Sequence, residues 1–165
     1  MIIAEAQAEL RRAFVGGGPG ALVSALVWLA AGLVERAQGV ALAFALLFIG
    51  GMLIFPLSTL CCRLLFRRAK ESGGNSLGRV ALESTIAMIG GLLAAWLFLP
   101  HEPDHVFPLA AIAVGTHYAA FRTVYGDATF WLLAALIAGV GCIDIFDVVR
   151  IPGGVILTVR SRNIA

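Results

Sequence analysis

Charged side chains are scarce in this sequence. They make up 13% of the 165 residues, whereas soluble domains usually carry about 25%. Hydrophobic residues make up 60% and the mean hydropathy is +0.94, and the apolar positions gather in long runs that one soluble core could not bury. The sequence therefore excludes a soluble globular domain and predicts a protein whose solvent is a lipid bilayer.

Cysteine is also scarce, and the HExxH and P-loop motifs are missing. Cys61, Cys62 and Cys142 provide neither an even set for disulfides nor a CxxC pair for zinc. We interpret them as small buried apolar residues, with lipidation of Cys61 or Cys62 as the functional alternative. No HExxH or P-loop motif occurs, and we expect no enzyme and no cofactor. The net charge of +2 likewise gives no reason to expect a nucleic-acid partner.

Apolar runs divide the chain into five stretches that approach or exceed the length needed to cross a bilayer, about 20 residues at 1.5 Å each. Pro56 lies inside the second stretch and predicts a kink, whereas Asp127 precedes the fifth and predicts a helix cap. The fold class we expect is all-α, a polytopic transmembrane helical bundle of about five spans. The predicted spans are Ala13–Val34, Ala37–Leu65, Val80–Leu99, Phe107–Tyr125 and Ala128–Ile143.

The end of the chain does not fit this pattern. We therefore divide the sequence into a transmembrane helical domain, residues 1–143, and a C-terminal tail, residues 144–165. The tail is a sixth span, an interfacial segment or a disordered end, and the sequence leaves these alternatives open. A sixth span would return Arg160 and Arg162 to the cytoplasm.

Basic residues gather at one set of helix ends, and the other ends carry Arg36 together with Glu35, Glu102 and Asp104. Cytoplasmic loops of membrane proteins carry an excess of Lys and Arg. We therefore expect a multi-pass protein of the bacterial inner (plasma) membrane with a cytoplasmic N-terminus. The basic residues on the predicted cytoplasmic side are Arg11, Arg12, Arg63, Arg67, Arg68, Lys70 and Arg79.

Small residues recur at helical spacing inside the predicted spans. Because they let helix backbones approach closely in a membrane, they predict tight helix packing. The alternative is that Ile49–Phe55 and Ile89–Ala95, which both begin with IGG, are traces of an internal repeat of the kind seen in transporters. The striped positions are Ala87/Gly91/Ala95, Gly115/Ala119 and Ala135/Gly139.

Ionisable side chains at membrane depth are costly and therefore candidates for function. Helical rise places Glu83 and Arg122 at the same level of the inner leaflet, where they could form an ion pair. In the alternative interpretation, Arg122 extends to the headgroups and Glu83 pairs with Arg79 one turn earlier. Asp127 is better explained as the helix cap.

His117 is the strongest single candidate because the same helical rise places it near mid-bilayer. A neutral imidazole there can pass a proton or bind a cation, and Tyr118 adds a polar group beside it. The structural alternative is an interhelical hydrogen bond. The polar intramembrane candidates are therefore His117, Tyr118, Arg122 and Glu83.

One dense group of potential metal ligands stands between the third and fourth spans. His101, Glu102, Asp104 and His105 combine nitrogen and oxygen donors that would suit zinc or a similar divalent ion. Their spacing matches no standard zinc pattern, so we favour a solvated turn without a metal.

The segment Val114–Gly126 reads VGTHYAAFRTVYG and follows two glycine-rich hairpins. It resembles small multi-pass bacterial membrane proteins of unknown function that carry a Gly-x-His-aromatic motif in a late helix. The resemblance covers about Ala13 to Ile143 and implies no reaction or ligand. It implies another full span where this chain has its tail.

Two functions from different classes fit these observations. The first is a small transporter or channel-like protein that forms a homo-oligomer and whose polar candidates converge on a cavity. The second is a helical membrane scaffold or accessory subunit whose small-residue stripes bind a partner's helices. It predicts that polar side chains are satisfied pairwise and that no cavity reaches mid-membrane.

Overall fold

The computed structural model describes residues 2–145, and all regular structure within that range is helical. The predicted helical bundle is confirmed. Short 3-10 turns at Val15–Gly17 and Pro103–His105 precede the second and fifth helices. Apart from its first two residues, the predicted tail at 144–165 lies outside the described residues. The helices are α1 (Ile3–Phe14), α2 (Gly18–Gln38), α3 (Val40–Leu64), α4 (Ser76–Trp96), α5 (Val106–Tyr125) and α6 (Thr129–Ile145).

Three of the helical segments are long and apolar enough to cross a membrane, namely Ile3–Gln38, Val40–Leu64 and Ser76–Trp96. α6 is apolar but shorter. α5 is 20 residues long and interrupts its apolar pattern with polar side chains, yet ten of its residues are buried, more than in any other described helix. Among its polar side chains, Tyr118 is buried and His117 is half-buried, whereas Thr116, Arg122 and Thr123 are exposed.

The first predicted span is wrong at its beginning. The chain does not enter a membrane helix at Ala13 but forms the separate amphipathic helix α1, which buries Ala6, Leu10 and Ala13. Left-handed φ angles of 53°, 61° and 81° at Val15, Gly16 and Gly17 then break the helix before α2 begins. Hydropathy does not detect this break because its residues are as apolar as their neighbours.

The helices form two units. α2 and α3 pack as a hairpin around a turn at Gly39, and we call this pair the hairpin unit. α4, α5 and α6 pack closely in sequence order as the three-helix unit. Helices of different units make few close backbone contacts, so the space between the units is filled mainly by side chains or left open.

Small residues account for the close contacts inside the three-helix unit. A Cβ atom added at Gly115 would lie 2.6 Å from the backbone nitrogen of Ala138, and one added at Gly91 would lie 2.7 Å from the Cβ of Ala113. The predicted packing roles of Gly91 and Gly115 are confirmed. The stripe predicted at Ala135 and Gly139 is wrong, because Ala135 is exposed and an added Cβ at Gly139 would meet no described atom within 4 Å. α6 packs instead through Ala134, Ala138 and Gly141.

The two ends of the bundle differ in composition. One end, which we call the basic end, holds α1, the α3–α4 loop at 65–75 and the turn at 126–128. Contacts from α1 to that loop and to the end of α5 bring these segments together. The opposite end holds the turn at Gly39 and the segment at 97–105. The basic residues that we grouped from the sequence therefore belong to the same end.

Candidate binding cavity

A cavity of about 520 Å³ lies between the hairpin unit and the three-helix unit. This volume falls within the range of about 300–1,000 Å³ that is typical of small-molecule sites. Most of its wall is apolar and includes Val27, Trp28, Ile54, Met88 and Val114. The polar residues on the wall are Ser24, Ser58, Glu71, Thr85, His117, Tyr118 and Tyr125.

His117 joins α5 to α4 as well as lining the cavity. Its ring Nδ1 lies 2.9 Å from the hydroxyl oxygen of Ser84, and that hydroxyl oxygen also lies 3.3 Å from the backbone oxygen of His117. The ring of Phe121 meets the imidazole edge to face at 4.7 Å between centroids. These contacts fix the imidazole at the cavity wall.

The contacts of Ser84 indicate which hydrogen-bonding role His117 can offer. The Ser84 hydroxyl can donate to the backbone oxygen of His117 and accept a hydrogen bond from its Nδ1–H. The hydroxyl, the backbone oxygen and Nδ1 then all have partners. This tautomer leaves Nε2 unprotonated, and Nε2 has no hydrogen-bond partner among residues 2–145. His117 can therefore accept a hydrogen bond from a molecule in the cavity.

Tyr118 connects the two units across the cavity. Its side chain on α5 lies beside that of Ser24 on α2, and both residues are buried. The Tyr118 ring stacks against Phe130 of α6 at 6.5 Å between centroids. Tyr118 and His117 are adjacent in sequence, so they place two hydrogen-bonding side chains at one level of the cavity.

Aromatic side chains close the cavity toward the opposite end of the bundle. Phe44 of α3 meets Trp96 of α4 and Phe107 of α5 edge to face, with centroid distances of 5.8 and 6.1 Å. Trp28 of α2 contacts the same Phe107 ring at 6.1 Å. We call Trp28, Phe44, Trp96 and Phe107 the aromatic cluster, and it bridges both units.

α1 covers the cavity at the basic end. Its residues Leu10 and Phe14 form part of the cavity wall. Gln7 donates a hydrogen bond of 2.9 Å to the backbone oxygen of Thr123, and Arg11 donates to the backbone oxygen of Tyr125. These oxygens belong to the last turn of α5, where a cation is favourable because of the helix dipole.

Glu9 attaches the other side of α1 to the α3–α4 loop. Its carboxylate accepts hydrogen bonds from the backbone N–H and the hydroxyl of Ser72, and a 2.7 Å bond from the side-chain amide of Asn75. Asn75 also donates to the backbone oxygen of Ala6 at 3.0 Å. The Ser72 backbone N–H is the main cause that lowers the pKa of Glu9, because it stabilises the ionised carboxylate.

The side of the cavity between α3 and α4 is loosely closed. Both helices line the cavity, but their backbones make little close contact. Phe55 of α3 and Leu82 of α4 belong to the cavity wall and yet are 67% and 60% exposed. These two side chains therefore mark an opening on the flank of the bundle.

The structure separates the four polar candidates. His117 and Tyr118 line the cavity, whereas Glu83 and Arg122 are exposed and lie outside its wall. Within residues 2–145, Glu83 forms an ion pair with neither Arg122 nor Arg79. The Arg122 guanidinium lies 5.7 Å from the ring centre of Trp131, which is a cation–π distance.

The potential metal ligands at the opposite end do not gather around a centre. His101, Glu102 and Asp104 are exposed, and the Nδ1 of His105 lies 3.6 Å from a carboxylate oxygen of Glu102. Nowhere in the described part of the chain do three His, Cys, Asp or Glu side chains meet in a metal-binding arrangement.

Sequence reasoning missed Ser84, Ser24 and the attachment of α1. Ser84 carried little usable signal, because helical rise places it beside Glu83 in the predicted inner leaflet and not at the mid-bilayer depth predicted for His117. The link from Ser24 to Tyr118 and the contacts of Glu9 join residues far apart in sequence. No local pattern indicates them.

Residues 3–158 match the sequence profile of the family of unknown function DUF7010. The chain belongs to this family. The DUF7010 match begins at the first residue of α1, so it includes the segment that covers the cavity. It also continues beyond Ile143, where the sequence-based resemblance stopped. No curated protein and no solved structure shows a significant match to the chain.

Proposed function

We propose that this DUF7010 protein is a small multi-pass transporter of the bacterial inner membrane. In this proposal α2–α6 each cross the bilayer, and the basic end faces the cytoplasm. The excess of Lys and Arg at that end supports the orientation. The burial of ten α5 residues supports its crossing, because the buried Tyr118 and the half-buried His117 then face protein rather than lipid.

The observation that carries the proposal is the cavity set between two helical units and lined by His117 and Tyr118. A scaffold protein would need no such space, since its polar groups would be satisfied pairwise. A carrier needs a central site that each of two units can expose in turn. The hairpin unit and the three-helix unit are suited to this role because few close backbone contacts join them.

The composition of the cavity favours a carrier over an ion channel. Among the described residues, Glu71 is the only Asp, Glu, Lys or Arg side chain on the wall, and Arg63 lies 3.6 Å from its carboxylate. A hydrated ion would need a continuous polar path, and the wall is mostly apolar. We therefore propose an uncharged or weakly polar solute that His117 and Tyr118 orient by hydrogen bonds.

The aromatic cluster and α1 close the two ends of the cavity, and their separate opening would expose it to each side of the membrane in turn. Movement of the hairpin unit away from Trp96 and Phe107 would open the aromatic cluster, whereas release of α1 from the ends of α5 and the α3–α4 loop would open the basic end. Hinge motion at Val15–Gly17 would allow that release, since three successive residues there already adopt left-handed φ angles.

Flux through liposomes that contain the purified protein tests the proposal. We would measure proton flux, monovalent cation flux and exchange of tritiated uncharged solutes for wild type, His117→Ala and Gly51→Leu. Gly51 lines the cavity, and an added Cβ there would meet no described atom within 4 Å, so leucine should fill the space. Gly90→Leu is the matched control, since Gly90 is equally open but lies outside the cavity wall.

The expected result is exchange of at least one solute that Gly51→Leu and His117→Ala abolish and Gly90→Leu retains. If no ion or solute moves and the variants change only thermal stability, the transport proposal is wrong. The scaffold or accessory-subunit function would then be the better explanation, with the packed small residues serving partner helices.

A further inference from the structure

We propose that the cavity binds a single-chain amphiphile with an uncharged hydroxyl headgroup, which enters from the lipid through the opening between α3 and α4. The proposal rests on the proposed function, because it names the substrate class of the same cavity. It goes beyond that function by specifying both the chemistry of the ligand and its route.

The cavity wall has an apolar part that fits an alkyl chain and a polar part that fits a headgroup. Aliphatic and aromatic side chains such as Ile54, Met88 and Val114 provide a continuous apolar surface for an alkyl chain. The hydrogen-bonding groups are few and concentrated at His117 and Tyr118. The Nε2 of His117 can accept the hydrogen of a hydroxyl group, since no described residue occupies it.

The charges around the cavity explain why the headgroup should be uncharged. Burial of an ionised group in an apolar site is costly unless an opposite charge pairs with it. Arg122 and Glu83 are exposed and lie outside the cavity wall, so neither can pair with a bound headgroup. Glu71 lies on the α3–α4 loop at the basic end, next to Arg63.

The opening between Phe55 and Leu82 leads sideways rather than along the bundle axis. Phe55 precedes the end of α3 by nine residues and Leu82 follows the start of α4 by six, so they lie roughly 14 and 9 Å from the basic end at 1.5 Å per residue. Both depths fall within one leaflet of a hydrocarbon core about 30 Å thick. An amphiphile in that leaflet could enter without crossing water.

Tryptophan fluorescence provides a direct test because the chain has three tryptophans in different places. Trp28 lines the cavity, whereas Trp131 is 62% exposed on the outside of α6. We would prepare one variant that retains only Trp28 (Trp96→Phe with Trp131→Phe) and one that retains only Trp131 (Trp28→Phe with Trp96→Phe). Both would be reconstituted in lipid nanodiscs and titrated with a dibrominated long-chain alcohol, whose bromine atoms quench nearby tryptophan.

The expected result is saturable quenching of Trp28 that the unbrominated alcohol reverses, with only linear, unsaturated quenching of Trp131. In the Trp28-only background, Gly51→Leu should weaken the apparent affinity about tenfold or more because it fills the cavity, and Gly90→Leu should leave it unchanged. His117→Ala should weaken it about fivefold, the effect of one lost hydrogen bond. The carboxylate and trimethylammonium analogues of the same chain length should bind at least about tenfold more weakly.

Two outcomes would overturn the inference: quenching of Trp28 that is as linear as that of Trp131, or saturable binding of the charged analogues with the same affinity as the alcohol. The test also separates this inference from the transport proposal. Saturable binding without any flux would overturn the carrier function alone, and solute flux without saturable binding would overturn the ligand class alone.

Discussion

The carboxylate of Glu9 accepts two hydrogen bonds from Ser72, a residue 63 positions away, one from its backbone N–H and one from its hydroxyl. Asn75 adds a third bond to the same carboxylate. α1 is thus held on the α3–α4 loop by one ionised side chain, while Gln7 and Arg11 hold it on α5.

The first prediction concerns the pH dependence of this attachment. Because the folded protein lowers the pKa of Glu9, its contribution to stability is complete above the ordinary glutamate pKa of about 4.3 and is lost as the pH falls through the lower folded value. We expect the α1 amides of the wild type to exchange faster as the pH falls through that acidic range. In Glu9→Gln the same amides should exchange fast at neutral pH as well. Glu5→Gln is the control, because Glu5 bonds only the nearby backbone N–H of Ile2. Equal exchange in both variants would contradict the assignment.

The second prediction concerns the packing of α5 against α6. Gly115→Ala should destabilise the protein by about 1–3 kcal/mol, because the new methyl group would overlap the backbone of Ala138. Gly139→Ala has open space around it and should be neutral or stabilising. Unfolding of the purified variants in mixed detergent micelles measures both changes. A larger loss for Gly139→Ala would show that α6 packs through the other face.

The third prediction concerns the contact between Ser84 and His117. A double-mutant cycle of Ser84→Ala and His117→Ala should give a coupling energy of about 0.6 kcal/mol, the average for interhelical hydrogen bonds in a membrane. Equilibrium unfolding of the four proteins measures it. Additive effects with no coupling would mean that the two side chains do not bond. Solute exchange by Ser84→Ala should remain above that of His117→Ala, since the variant retains the imidazole.

The fourth prediction concerns the start of α6. Asp127 accepts a 2.9 Å hydrogen bond from the backbone N–H of Thr129, which also lowers the pKa of its carboxyl group. Asp127→Ala should lower the melting temperature, and Asp127→Asn should restore it because asparagine is an equally good N-cap. If the alanine and asparagine variants had the same melting temperature, Asp127 would not act as the helix cap.

Much of the fold could be predicted because a bilayer imposes a simple rule on sequence. The apolar runs in α2 to α6 identify the helices, and the cap at Asp127 follows from a turn of a few residues. The break at Val15–Gly17 could not be predicted from hydropathy, since it depends on backbone angles and not on polarity.

The candidate site was predictable only in part. His117 and Tyr118 were identified because polar groups are costly at membrane depth. Their partners Ser84 and Ser24 depend on how neighbouring helices are rotated, which one helix does not encode by itself. The same reason explains why Gly115 faces a neighbour and Gly139 does not, although both stand in similar small-residue patterns.

The attachment of α1 also has a consequence for biosynthesis. The residues that anchor α1 are all synthesised after it, Ser72 and Asn75 first and then Thr123 and Tyr125. α1 therefore remains undocked while the four helices α2 to α5 are synthesised. α1 can dock fully only after α5 has been synthesised. This late step covers the cavity that the later helices enclose.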